Sequence, residues 1–143
     1  MDYFEARVED FFRQKNWRMT SAVRNIAHLL QETSMPLSVQ QIQSLLLSKE
    51  HSVDPSTIYR ILERFEEGHL IHNLQGQVFP CSNPKESSRQ HHFLLCEKCG
   101  HAEEIFLDYQ NSISRQLAQE KNFLLKKVEM YFWGICSRCF RPK

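Results

Sequence analysis

Residues 91–104 read HHFLLCEKCGHAEE: two adjacent histidines, a short apolar run, a Cys-x-x-Cys pair at Cys96 and Cys99, and two adjacent glutamates. A second pair, Cys136 and Cys139, stands near the C-terminal end, so the two pairs use four of the five cysteines. Four thiolates presented on two tight knuckles are the donor set of a tetrahedral structural zinc site. The rival chemistry is a redox dithiol, which usually needs Cys-x-x-Cys to open a helix in a βαβ setting, where the thiol pKa is lowered. Here both pairs follow strand-like apolar runs and precede a glycine or a basic tail. A metal site is therefore expected, and a thiol-disulfide oxidoreductase, the one enzymatic reading, is the remote alternative.

Around this stretch the pattern is that of a small sheet with one helix. HHFLLCEKC and HAEEIFL predict two strands flanking the first knuckle. Asp108 is placed to cap a helix carrying Ile113 and Leu117. Val128, Met130 and Phe132 alternate with Glu129 and Tyr131, which predicts a third strand running into Cys136. A unit of about 60 residues is marginal for a self-sufficient core. A structural metal and dimerisation would supply what it lacks. Upstream, residues 81–90 (CSNPKESSRQ) are polar, with Pro, Asn and three serines, and read as a hinge.

Residues 1–80 have a different texture. Phe4, Val8, Phe11 and Phe12 recur at helical spacing. Thr20 is placed to N-cap a second helix with Val23, Ile26, Ala27 and Leu30 on one face. Ser38 and Gln41 form a capping-box pattern ahead of an Ile42, Leu45, Leu46 stripe. Asp54-Pro55 starts the next helix, with Ile58, Ile61, Leu62 and Phe65 on its buried face. Gly68 sits where a C′ glycine belongs, and Thr57, Tyr59, Arg60 and Arg64 are left facing away from the core. Two short apolar runs around Gln75-Gly76 predict a hairpin. Helices followed by a hairpin outline a winged helix-turn-helix, whose last helix enters the DNA major groove. The expected class is thus α+β: a winged helix-turn-helix domain (1–80), a hinge (81–90), and a small α/β dimerisation domain (91–143) with a four-cysteine zinc site.

Bulk properties bound the partners. No run of eighteen apolar residues exists, so no membrane span is expected. The start, MDYFEARVEDFF, lacks the features of a signal peptide, and a reducing, cytoplasmic setting is expected, where paired cysteines more often hold metal than disulfides. Residues 1–80 hold eight Lys/Arg against ten Asp/Glu, and residues 81–143 ten against seven. DNA binding by the first half must therefore rest on local placement of arginines rather than on a basic field.

PSTIYRILERFEEGHLIH at 55–72, then the hinge, then HHFLLCEKCG and the terminal CSRC, resemble the ferric uptake regulator superfamily over almost the whole chain. These are dimeric, metal-dependent transcription regulators. The resemblance implies a four-cysteine structural zinc site at Cys96, Cys99, Cys136 and Cys139. It places the family's base- and phosphate-contacting tyrosine and arginine on Tyr59 and Arg60, with Thr57 beside them. Its early arginine–threonine–arginine segment falls on Arg18, Thr20 and Arg24. Iron sensors of the family draw a ligand from a histidine before the third helix, where this chain has Met35-Pro36-Leu37. They also carry a His-x-His whose last position is Phe93 here. The zinc uptake regulator branch fits better. His72 follows Leu70-Ile71, Cys81 lies fifteen residues before Cys96, His91 lies five before Cys96, and Glu104 lies five after Cys99. His92 and Glu103 are the alternatives to His91 and Glu104. The superfamily's auxiliary site falls near Asn111 and Val128, which offer no ligands.

One thiolate, two imidazoles and a carboxylate suit a four-coordinate Zn²⁺, whereas iron(II) and manganese(II) favour harder and more numerous ligands. The expectation is a zinc-responsive, homodimeric repressor of a palindromic duplex operator, with one structural and one regulatory zinc per chain. An iron- or manganese-responsive repressor of the same superfamily is the alternative. His28, His51, His69 and His101 are expected on the surface, and Trp17 and Trp133 in packing roles.

Overall fold

The computed structural model describes residues 4–33, 35–81, 90–105, 110–126 and 128–141, with the side chains at 90, 91, 110, 111, 128 and 129 outside that description. The proposed cap Asp108 lies outside it, as do the side chains of Asn111 and Val128. The chain divides into two compact units, Met1–Cys81 and Ser82–Lys143.

The first unit runs α1 (Phe4–Gln14), α2 (Ser21–Glu32), β1 (Leu37–Ser38), α3 (Val39–Ser48), α4 (Pro55–Glu67), β2 (Ile71–Leu74) and β3 (Gln77–Pro80). Its helix starts are set by side chains that satisfy orphan N–H groups. Thr20 accepts from the Val23 N–H, and Asp54 from the Thr57 N–H with Pro55 opening the first turn. Ser38 and Gln41 close a full capping box. The helices bury the periodic residues: Phe4, Val8 and Phe12; Val23, Ile26, Ala27 and Leu30; Ile58, Ile61, Leu62 and Phe65. In α3 the buried face is Val39, Ile42 and Leu46, at i, i+3 and i+7, which leaves the exposed Leu45 at its edge.

Aromatic edges knit this core. Phe65 meets Phe4 at 5.9 Å and Phe12 at 6.0 Å, and Trp17 meets Phe12 at 5.5 Å. Arg64 is half-buried rather than turned to solvent, its guanidinium 4.8 Å over the Trp17 ring. Gly68 closes α4 with φ −81°, and the left-handed residue is the next one, His69, at φ 53°. Gly68 is needed for space instead: a Cβ there would lie 2.7 Å from the Phe11 ring. The sheet order is β1-β3-β2, antiparallel throughout. Gln75 and Gly76, with φ of 53° and 87°, make the two-residue turn with positive φ at both central residues that matches strand twist. This is a winged helix-turn-helix unit.

The second unit contains β4 (Gln90–Cys96), β5 (Ala102–Ile105), α5 (Gln110–Lys121) and β6 (Val128–Gly134) in the sheet order β5-β4-β6. β5 is antiparallel to β4, while β6 is parallel to it, in register from Gln90↔Val128 to Cys96↔Gly134. A parallel pair requires a crossover, here containing α5. Trp133, expected to pack, is 59% exposed: it shares the sheet face of Tyr131, with the rings 5.9 Å apart, but lies at the end of the strand beside Gly134 and is not covered among the described residues.

Candidate metal centre

The parallel register builds the four-cysteine cluster. It ends with Cys96 beside Gly134, so a chain that continues two residues past β6 delivers Cys136 to Cys96. The first knuckle turns back through Gly100, at φ 76°, whose N–H donates to the Cys96 carbonyl at 2.9 Å. In the second, the Cys139 and Phe140 N–H groups donate to the Cys136 carbonyl at 2.9 and 2.7 Å. The four sulfurs all lie within 4.8 Å of one another, and those of Cys99 and Cys136 are 3.7 Å apart. Tetrahedral zinc with bonds near 2.3 Å needs sulfur separations of about 3.8 Å, so the residues fit the ion.

The electrostatics agree. The Cys96 sulfur accepts N–H groups from Cys136 at 3.4 Å and Cys99 at 3.5 Å. These two donors hold its pKa down to about 6. Cys139 is pushed up to about 12, by desolvation first and by the neighbouring sulfurs second. Four thiols this close cannot all ionise without a cation between them, a charge that a bound Zn²⁺ would supply. Neither pair opens a helix: Cys96 ends β4, and Cys136 follows β6. The cluster therefore lacks the helix-opening position of a redox dithiol, and the N–H groups that lower the Cys96 pKa come from the two knuckles themselves.

In the first unit, β2 and β3 pair His72 with Phe79, and the ladder continues as the Cys81 N–H donates to the Leu70 carbonyl at 2.8 Å. Cys81 is two residues beyond Phe79, so it shares the sheet face of His72. A ring nitrogen of His72 and the Cys81 sulfur lie within 4.8 Å of each other. His72 is half-buried, with its ring 5.3 Å from Phe79. Cys81 is fully buried. The Arg7 guanidinium, which sequence reasoning did not single out, donates to the Cys81 carbonyl at 2.7 Å. Nothing in the sequence marks that contact, since it joins residues 74 positions apart.

In the second unit, Glu104 is half-buried on β5 opposite Phe93, and Glu103 is exposed opposite Leu94. His92 is fully buried and pairs with Ile105 and Met130. Residue 91 belongs to β4, but the His91 side chain lies outside the described residues. Phe93 is buried and stacks on Tyr131 at 5.5 Å and 18°, so it has become core. His28, His51 and His69 are exposed as expected. His101 is not: it is half-buried, and its Nδ1 is buried without a hydrogen-bond partner among the described residues. Its position just after Gly100 is the only sequence signal, because the knuckle folds it back so that its carbonyl accepts the Cys96 N–H at 2.9 Å.

The exposed side of α4 carries Tyr59, 53% exposed, and Arg60. Thr57 is half-buried, with its hydroxyl donating to Asp54 at 2.7 Å. Ser56 donates to the same carboxylate, and the hydroxyls of Ser56 and Thr57 hold the Asp54 pKa down to about 2. Arg18 and Arg60 make no salt bridge among the described residues, whereas Arg24 pairs with Glu9 at 2.7 Å.

The ferric uptake regulator family model matches residues 14–133. A ferric uptake regulation protein of Legionella pneumophila is 30% identical over 115 residues, covering 78% of this chain and 82% of that one. Among solved structures, a zinc uptake regulator complexed with zinc and DNA superposes with a TM-score of 0.79 at 23% identity, covering 94% of this chain and 91% of that one. The Vibrio cholerae ferric uptake regulator superposes at 0.60 with 22% identity, covering 87% of this chain and 96% of that one. With the winged-helix unit, the four-sulfur cluster and a family match across most of its length, the chain belongs to the ferric uptake regulator family.

Proposed function

We propose that this protein is a zinc-responsive, homodimeric transcriptional repressor of the cytoplasm, of the zinc uptake regulator type. Residues 1–80 would bind duplex DNA, residues 81–90 act as the hinge, and residues 91–143 dimerise. Cys96, Cys99, Cys136 and Cys139 would hold a structural zinc. His72, Cys81, His91 and Glu104 would hold a second, regulatory zinc.

The observation that carries the zinc reading is the juxtaposition of the His72 ring and the Cys81 sulfur on one face of the wing. A thiolate beside an imidazole is a borderline-soft pair that favours zinc over iron(II) or manganese(II). Strand alternation supports His91 over His92 as the fourth ligand. Glu104 is paired with Phe93, and position 91 belongs to the same alternating row, whereas His92 is paired with Ile105. Glu104 is half-buried where Glu103 is exposed, which favours Glu104 as the carboxylate ligand. Phe93 offers no nitrogen at the position where the resemblance gives an iron sensor a histidine. The names of the curated relatives favour the iron reading, as in the Legionella protein.

In the proposed mechanism the second ion draws ligands from both units, so binding it restricts their relative orientation. In a two-fold dimer that orientation sets the spacing of the two α4 helices, which must match palindromic half-sites on one duplex. Metal favours the binding form only through differential affinity, so a hundredfold switch in DNA affinity needs about 3 kcal/mol of coupling. Arg60 would read a base edge or a phosphate. Tyr59, Thr57, Arg18 and Arg24 would fix the backbone register.

The test is Cys81→Ser. Zinc-stimulated DNA binding should fall by about tenfold or more, on the scale of a lost metal-site partner, while one tightly held zinc per chain remains. Wild-type zinc stimulation in Cys81→Ser would remove Cys81 from the regulatory site.

A further inference from the structure

We propose that Arg7 of α1 is a positioning residue for the regulatory metal site, acting through the backbone of Cys81. The inference rests on the reading of Cys81 as a ligand. Cys81 is the last residue of its compact unit, one position past β3 and outside its strand pairing. It does not stand free. Its N–H is fixed to the Leu70 carbonyl at 2.8 Å, and its carbonyl accepts the Arg7 Nη1 at 2.7 Å, the distance of a charge-assisted bond. With both sides of the residue held, the Cα–Cβ direction is set, and the sulfur is kept on the His72 face of the wing.

Arg7 is itself well placed for this role. Its guanidinium lies 5.5 Å from the centroid of the Phe4 ring, and Phe4 packs edge-on against Phe65 of α4. The grip on Cys81 is therefore anchored in the core that carries the DNA-reading helix, not in a loop. A guanidinium also adds a fixed positive charge near a residue that must bind metal as a thiolate, and a thiolate ligand is oriented and tuned by such outer partners. The sequence pattern of α1 assigns Arg7 nothing, since it falls between the buried positions Phe4 and Val8.

The experiment uses the full chain with its structural zinc in place and compares wild type, Arg7→Met, Arg7→Lys and Cys81→Ser. Each is titrated with zinc against a chromophoric chelator and with cobalt(II), whose thiolate-to-metal absorption reports the geometry around the Cys81 sulfur. Arg7→Met should weaken the second zinc by about tenfold or more and alter the cobalt band. Arg7→Lys, which keeps a donor and a charge, should recover part of both. A merely structural role would lower thermal stability without moving the cobalt band, and would overturn the proposal. So would wild-type second-site affinity in Arg7→Met when Cys81→Ser has lost it. Wild-type affinity in Cys81→Ser would overturn the ligand reading beneath the proposal, and the proposal with it.

Discussion

Gly68 is held by space rather than by backbone conformation. Its φ of −81° is open to any residue, but a Cβ would press to 2.7 Å on the Phe11 ring. That ring cannot easily retreat, because Trp17 stands edge-on at 5.6 Å. Gly68→Ala should therefore cost about 1–3 kcal/mol, as overpacking does, read as a lower urea midpoint with an unchanged slope. At the same scale the arginines separate. Arg60 is exposed on α4 with no salt bridge among the described residues, while Arg24 is already paired to Glu9. Arg60→Ala should weaken binding to selected duplex DNA by about 1–3 kcal/mol. Arg24→Ala should cost less, because Glu9 must first be released. Equal losses in a fluorescence-anisotropy titration would contradict that ranking.

Among the elements, α1, α2 and the C-cap of α3 are tied by a surface chain of charges. His28 Nδ1 meets Glu5 at 2.7 Å, His28 Nε2 meets Glu32 at 3.1 Å, and Lys49 meets Glu32 at 2.9 Å. The hydrogen bond to Glu5, and then the charge of Glu32, raise the His28 pKa above its ordinary 6.5. Because the folded value is the raised one, this stabilisation is complete below about pH 6.5 and is lost as pH rises through the folded pKa. Wild type should thus lose some melting temperature between pH 6 and 8, and His28→Ala should flatten that slope. An identical slope in His28→Ala would show that the contact contributes nothing. Helices α2, α3 and α4 were legible in the sequence because their starts are local signals: Thr20, the Ser38–Gln41 box and Asp54-Pro55 each satisfy N–H groups within four residues. The Gln75-Gly76 turn was legible for the same reason. The exposure of Leu45, the seating of Arg64 on Trp17 and the left-handed residue at His69 were not. Each depends on what packs from elsewhere in the chain.

For the whole molecule, the four-cysteine cluster could be read from spacing alone, yet what assembles it could not. The parallel pairing of β4 with β6 brings together cysteines 37 positions apart, Cys99 and Cys136. Local periodicity identifies a strand but carries no information on which strand lies beside it. Of the residues proposed for the regulatory site, His72, Cys81, His91 and Glu104, the wing brings His72 and Cys81 together, while the grip of Arg7 on Cys81 had no signal in the sequence. Phe93 is the residue where both levels meet: its place in the sequence enters the proposed zinc reading, and its burial against Tyr131 makes it core. The proposed function stands or falls on whether zinc at a second site licenses DNA binding. Its most direct test is to strip the full chain of exchangeable metal. Zinc, iron(II) or manganese(II) is then supplied in turn, and affinity is measured for duplexes selected from a random pool under each metal. Zinc should tighten binding by about a hundredfold, the switch that a coupling of about 3 kcal/mol delivers, with a second zinc taken up per chain. If iron(II) or manganese(II) produces that tightening and zinc does not, the claim is wrong.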